Sequence, residues 1–253
     1  MNAVHIVLLT WLLFSLLYVL AVAIKNASIV DIAWGLSFMI IAVSQQLSHG
    51  HLSGTVLTVM VLVWGARLSW HIGRRNIGKP EDFRYANWRR EWGQSYLLRS
   101  YLQIFMLQGF MMLTISLAHL TGMTSSAEPF SLLAIIGLCV YAAGISLEAE
   151  ADASLKKHLA NPQNRGKLLR SGVWQYSRHP NYFGEALLWW GIYLVALAYG
   201  APWWTIISPL TIMVLVRYVS GVPMLEKGME KYADFADYCA TTSIFIPWFP
   251  NRR

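Results

Sequence analysis

Apolar residues in this chain come in long, nearly unbroken runs, not at the intervals of 2 or 3.6 residues that mark a water-facing strand or helix. Seven runs reach the length of about 20 residues that a helix needs to cross hydrocarbon, where backbone amides have only one another to bond. They cover approximately residues 4–24, 29–47, 54–72, 99–120, 130–151, 182–199 and 203–222. The pattern predicts an all-α integral membrane protein, a seven-transmembrane helix bundle forming a single membrane domain over 1–253. The second and sixth runs are the most polar, with Asp31, Gln45 and Gln46 in or near one and Glu185 in the other, and six spans follow if either fails. The first run lacks a basic leader and a small-residue cleavage site, so it reads as a helix and not as a removable signal. No fixed-period repeat, low-complexity stretch or linker divides the chain.

Composition agrees with this reading. The chain is 56% hydrophobic and 13% charged, against a charged share of about 25% in soluble domains. Its two cysteines, Cys139 and Cys239, are too few and too far apart for a disulfide framework or a zinc cage. A net charge of +7 would attract nucleic acid, but the basic residues lie where insertion topology requires them, so no nucleic-acid partner is expected. Lys25 stands in the first loop, Arg67 to Arg99 surround the third, Lys156 to Arg178 fill the fifth, and Arg217 to Arg253 end or follow the last run. The alternate loops hold no lysine or arginine, and Glu128 is their only acid. Because basic loops stay in the cytosol, the N-terminus is expected outside and the C-terminus inside. Trp203, Trp204 and Trp248 fit boundary positions, whereas Trp34, Trp64 and Trp70, near polar residues within spans, are candidates to line a pocket, Trp34 and Trp64 for the substrate.

Ionisable groups at membrane depth are costly and therefore point to function. Asp31, Arg67, His71, Glu148, Glu150, Asp152, Glu185 and Arg217 share the cytosolic half of the expected bundle. Together they predict a cavity open to a polar ligand from the cytosol and an apolar one from the bilayer. Snorkelling and pairing at helix ends is the competing explanation. The loop from Arg74 to Gly93 adds Asp82 and Tyr85 to its arginines. The loop from Asn164 to Glu185 offers Arg165, Lys167 and Arg170 for phosphates, then Tyr176, His179, Asn181 and Glu185, whose side chains can hydrogen-bond ribose or carboxamide groups. Neither a GxGxxG turn nor a P-loop is present, so a nucleotide would need another scheme. The histidines are not at metal-ligand spacing, and no metal is expected.

The segment YSRHPNYFGE ending at Glu185, LEAEAD at 147–152, and the ending SGVPMLEKGMEKYADFADYCATTSIFIPWFP resemble the steroid 5-alpha-reductase superfamily. VDIAWG at 30–35 and EDFRY at 81–85 narrow the resemblance to its bacterial, DUF1295-like branch of membrane reductases. The resemblance implies an integral protein of the bacterial inner membrane that uses NADPH, held on the cytosolic side. Its reaction would reduce the carbon-carbon double bond of an enone lipid entering from the bilayer, as in a 3-oxo-4-ene steroid. It places Asp152, Asn181, Glu185, Arg217, Arg67 and His71 on nucleotide-contacting positions, joined by Arg165, Arg170, Tyr176, His179, Asp82 and Tyr85. Asp31 and Trp64 stand near the places where eukaryotic members have a Gln-Glu pair and a tyrosine that polarise the ketone. Asp31, neutral or acting through water, is thus the expected catalytic group, with help from Glu185. Two other activities fit parts of the chain. An S-adenosylmethionine-dependent membrane methyltransferase of the isoprenylcysteine or phospholipid kind would share the RHP segment, although Glu226 is followed here by Lys227 and not by a second acid. A seven-span transporter or receptor would be expected to carry a charge at mid-span, and none is present.

Overall fold

The computed structural model describes residues 2–123 and 131–251; Glu128 lies outside them. Helix α1 covers Ala3–Ala23, α2 Ile29–His49 and α3 Leu52–Asn76. A fourth helical run joins α4 (Phe83–Trp92), α5 (Tyr96–Ser100) and α6 (Leu107–Gly122) through a 3₁₀ turn at Gly93–Ser95 and a π-helical turn at Tyr101–Met106. Then follow α7 (Leu132–Ala160), α8 (Pro180–Ala198), α9 (Ile207–Val214), α10 (Val222–Met229) and α11 (Phe235–Thr241), with a second π-helical turn at Leu215–Val219. The described residues contain no strand.

Among the described residues, six helical runs are long and apolar enough to cross a membrane: Ala3–Ala23, Ile29–His49, Leu52–Asn76, Phe83–Gly122, Leu132–Ala160 and Trp203–Met229. The protein is therefore an integral membrane protein. The expected sixth span, 182–199, corresponds to α8, which is helical but is not one of the six. Asn181 and Glu185 make its first turns polar, and its apolar residues Leu188, Trp189, Ile192 and Val195 are buried by protein. By contrast α1 exposes Val4, Leu8, Trp11, Leu16 and Val19, as a lipid-facing helix does.

The chain divides into two compact units, the first comprising Met1–Pro129 with Ala196–Thr205 and the second Phe130–Val195 with Ile206–Arg253. In the first unit α2 crosses α3 at glycine. A Cβ on Gly35 would come within 2.5 Å of the Gly65 carbonyl oxygen, and one on Gly65 within 2.8 Å of the Gly35 oxygen. That approach stacks Phe38 edge-on against Trp34 and Trp64, at 5.4 and 5.2 Å between ring centres. Trp64 is fully buried.

In the second unit α7 and α8 meet along glycines spaced seven apart on each helix. A Cβ on Gly144 would lie 2.4 Å from the Leu188 nitrogen, on Gly137 2.8 Å from the Val195 nitrogen, on Gly184 2.7 Å from the Glu148 nitrogen, and on Gly191 2.5 Å from the Tyr141 nitrogen. Small residues drive helix association in membranes because lipid supplies no hydrophobic force and close packing must replace it. This seam fixes the register of α8 against α7, and so brings Asn181 to Asp152.

Candidate functional site

The first polar cluster closes over the start of α2. Asp82 caps α4 by accepting the Arg84 N–H at 3.0 Å, and its own N–H donates to Ser28 Oγ at 2.7 Å. The preceding Glu81 accepts the Ala27 N–H at 2.7 Å, just before α2 begins, and pairs with Arg89 through two bonds of 2.8 and 3.1 Å. Arg84 then reaches both Asp82 Oδ1 at 2.8 Å and Asp31 Oδ2 at 2.7 Å. The Tyr85 hydroxyl donates to Asp31 Oδ1 at 2.5 Å. Thus the two sequence signatures VDIAWG and EDFRY meet side chain to side chain. Asp31 thus meets one partner on each of its carboxyl oxygens. Outside the helices, Asp82 feels burial that raises its pKa, but the Arg84 guanidinium and backbone N–H outweigh it and hold the carboxyl below the usual range.

The second cluster forms where the chain enters α8. Pro180 opens the helix, which suits a residue without an N–H. The buried Arg178 donates through Nε to Glu226 Oε1 at 2.8 Å and through Nη1 to the carbonyls of Thr242 and Cys239, at 2.9 and 3.2 Å. His179, with no exposed surface, places Nε2 3.2 Å from the same Glu226 oxygen and stacks on Tyr182. Asn181 Nδ2 donates to Asp152 Oδ1 at 3.2 Å. Burial pushes the His179 imidazole down to about 4, with Glu226 opposing that fall only in part. Residues 238–251 strap this turn in place. The Arg178 N–H donates to the Ser243 carbonyl, Ser177 Oγ to the Phe245 carbonyl, the Trp248 N–H to the Tyr176 carbonyl, and the Tyr238 hydroxyl to the Trp174 carbonyl, at 2.6 to 2.9 Å.

The structure brings together Asp31, Asp82 and Tyr85 in the first unit; in the second it joins Asn181 to Asp152, and His179 to Glu226. Trp34 and Trp64 share one aromatic stack through Phe38. Arg67 and His71 lie partly buried on α3, two and one turns before its end. Glu185 is buried one turn beyond Asn181 on α8. Arg217 sits in the second π-helical turn with its guanidinium 4.6 Å from the Tyr218 ring centre. Arg170 pairs with Asp237 at 2.6 Å, Arg165 is exposed, and Tyr176 meets Phe249 edge-on. Two central residues were not among the expected site residues: Arg178, and Glu226, which entered only in weighing a methyltransferase. The adjacent cation and imidazole of "RH" were a signal for a carboxylate partner, but nothing in the chain said which acid would supply it. Among the described residues, no group of three or more His, Cys, Asp or Glu side chains could hold a metal ion.

A family model described as "Protein of unknown function (DUF1295)" matches residues 17–242. No curated protein and no solved structure matches the chain.

Proposed function

The chain belongs to the DUF1295 family, and we propose that it is an NADPH-dependent membrane oxidoreductase of the steroid 5-alpha-reductase superfamily, reducing the carbon-carbon double bond of an enone lipid such as a 3-oxo-4-ene steroid. The observation that carries this reading is the buried polar turn entering α8. In a chain so apolar, burying Arg178, His179 and Glu185 around one helix start needs a reason beyond folding. The residues fit a nicotinamide dinucleotide, because His179 Nδ1 and Asn181 Oδ1 are buried without a protein partner. Such atoms are costly unless a ligand satisfies them.

NADPH, when bound, supplies the hydride. In this proposal Asn181, Asp152 and His179 of the second unit orient the ring end, and Arg165, Arg170, Arg217 and Tyr176 of the same unit serve the phosphates and riboses. The apolar stack of Trp34 and Trp64 receives the substrate. Reduction of an enone leaves negative charge on the carbonyl oxygen, which a hydrogen-bond donor must meet. Asp31 holds the Tyr85 hydroxyl and the Arg84 guanidinium and is the carboxyl group we assign to positioning the reacting end. The solvent proton that completes the reaction balances the hydride: enone, NADPH and one proton become the saturated ketone and NADP⁺. The distribution of lysine and arginine supports seven spans with the N-terminus outside and the C-terminus and cofactor residues in the cytosol; residence in a bacterial inner membrane is what the resemblance to the bacterial branch implies.

One observation favours a second reading. The RHP segment is tied to an acid on a C-terminal helix, Glu226, as a methyltransferase site using S-adenosylmethionine would also require. Turnover separates the two. Detergent-purified protein given NADPH and a 3-oxo-4-ene steroid is expected to consume NADPH only when the enone is present, with the saturated ketone as product. No consumption across a panel of cyclic enones would count against the reductase.

A further inference from the structure

The protonation pattern of the turn entering α8 can be read from its partners. Glu226 Oε1 already accepts from Arg178, so it is an anionic acceptor, and the His179 nitrogen 3.2 Å away must present its proton to it. That nitrogen is Nε2. In a neutral imidazole the other nitrogen then carries a lone pair, and this is Nδ1, buried and without a protein partner. The same logic fixes the amide of Asn181. Asp152 can only accept, so Nδ2 faces it and Oδ1 is the end left over, also buried without a partner. His179 and Asn181, on either side of Pro180, thus each keep a buried acceptor.

We propose that this turn is a donor-selecting site, at which His179 Nδ1 and Asn181 Oδ1 accept N–H or O–H groups of the bound ligand. This deepens the cofactor reading above and rests on it. A phosphate or carboxylate would face lone pairs here and is excluded, so the turn takes a neutral end of the dinucleotide. Two groups of a nicotinamide nucleotide have the required paired donors: the carboxamide NH₂ and the ribose diol. Tyr182, stacked on His179 with ring centres 6.0 Å apart, and Gly221, where a Cβ would come within 3.0 Å of the Tyr182 ring, hold the imidazole in this orientation. Glu226 is a positioning residue, since it acts by fixing the tautomer.

The test begins with the full-length protein in detergent at pH 7, without nucleotide and with histidine labelled by nitrogen-15. The His179 signals are those lost in His179→Gln. A neutral ring protonated on Nε2 is expected; an imidazolium or an Nδ1-protonated ring overturns the proposal. Titration with NADP⁺ and with its 3-acetylpyridine analogue, in which a methyl replaces the carboxamide NH₂, then finds the donor. If it is the carboxamide, the wild type binds the analogue about tenfold more weakly and His179→Phe abolishes the difference. If it is the ribose, the wild type binds both alike and His179→Phe weakens both about tenfold. A His179→Phe protein that binds both as tightly as the wild type overturns the proposal. A wild type that binds neither overturns the cofactor reading itself, whatever the tautomer.

Discussion

The Tyr85 hydroxyl donates to Asp31 Oδ1 at 2.5 Å, joining residues 54 positions apart, while Arg84 takes the other oxygen of the same carboxyl. This clasp locks the start of α4 onto the start of α2. Asp31→Ala would leave a hydroxyl and a guanidinium without their shared acceptor, at a cost of roughly 2 to 4 kcal/mol, whereas Tyr85→Phe removes one bond and costs about 1 kcal/mol. Thermal unfolding in detergent should rank the two in that order. Under the reductase reading, Asp31→Ala also abolishes turnover while NADPH still binds, and unchanged turnover removes Asp31 from the mechanism.

The α7–α8 seam predicts a contrast between glycines. Gly144→Ala forces a methyl to 2.4 Å from the Leu188 nitrogen, so the helices must separate, and a loss of about 2 kcal/mol or more is expected. Gly228, on α10, has open space around its Cβ position. There Gly228→Ala should be neutral or stabilising by up to about 1 kcal/mol, through helix propensity alone. Melting temperatures of the two variants check both signs.

Acid should weaken the second unit through His179. Burial lowers its pKa to about 4 in the fold, while an unfolded histidine titrates near 6.5 (about). The group therefore contributes its full stability above the unfolded value and loses it as pH falls from about 6.5 toward 4, an effect on the order of 3 kcal/mol. Glu226, Arg178 and Arg217 are the charged groups acting on it. Stability measured between pH 7 and 5 should fall, and fall less steeply in His179→Gln. Asp82, whose pKa is lowered, keeps its contribution over that range and loses it only at stronger acidity.

Arg170→Ala is expected to weaken NADPH binding. Its guanidinium already pairs with the exposed Asp237 and lies over the Tyr238 ring, so a ligand phosphate can take over from that carboxylate without burying a new charge. An unchanged dissociation constant would argue against a phosphate role.

Much of this architecture was legible because hydrocarbon imposes a simple rule: among the described residues every long apolar run became helix, from Ala3–Ala23 to Trp203–Val219. What lay beyond the rule was not legible. The segment FRYANWRREW is too charged for a span, and its helix depends on a cap from Asp82 and pairing of Glu81 with Arg89, which are local and tertiary contacts. Helix α7 runs on to Ala160 because ADASLKKHLA favours helix in water as well as in lipid. For α8, a polar first turn and enclosure by protein go together, and hydropathy registers only the first. The site divides in the same way. His179 and Asn181 announced themselves as polar groups beside an apolar run, but Glu226, 47 residues beyond His179, could be paired with it only by the fold. The meeting of VDIAWG with EDFRY is likewise a tertiary fact that no periodicity encodes.

The central claim is that a nicotinamide dinucleotide occupies the buried turn at the start of α8. Its most direct test is the melting temperature of the detergent-purified wild type with NADPH, with S-adenosylmethionine, and with neither. A saturable rise with NADPH alone, at least halved in His179→Phe, is the predicted result. A rise with S-adenosylmethionine and none with NADPH would contradict the account.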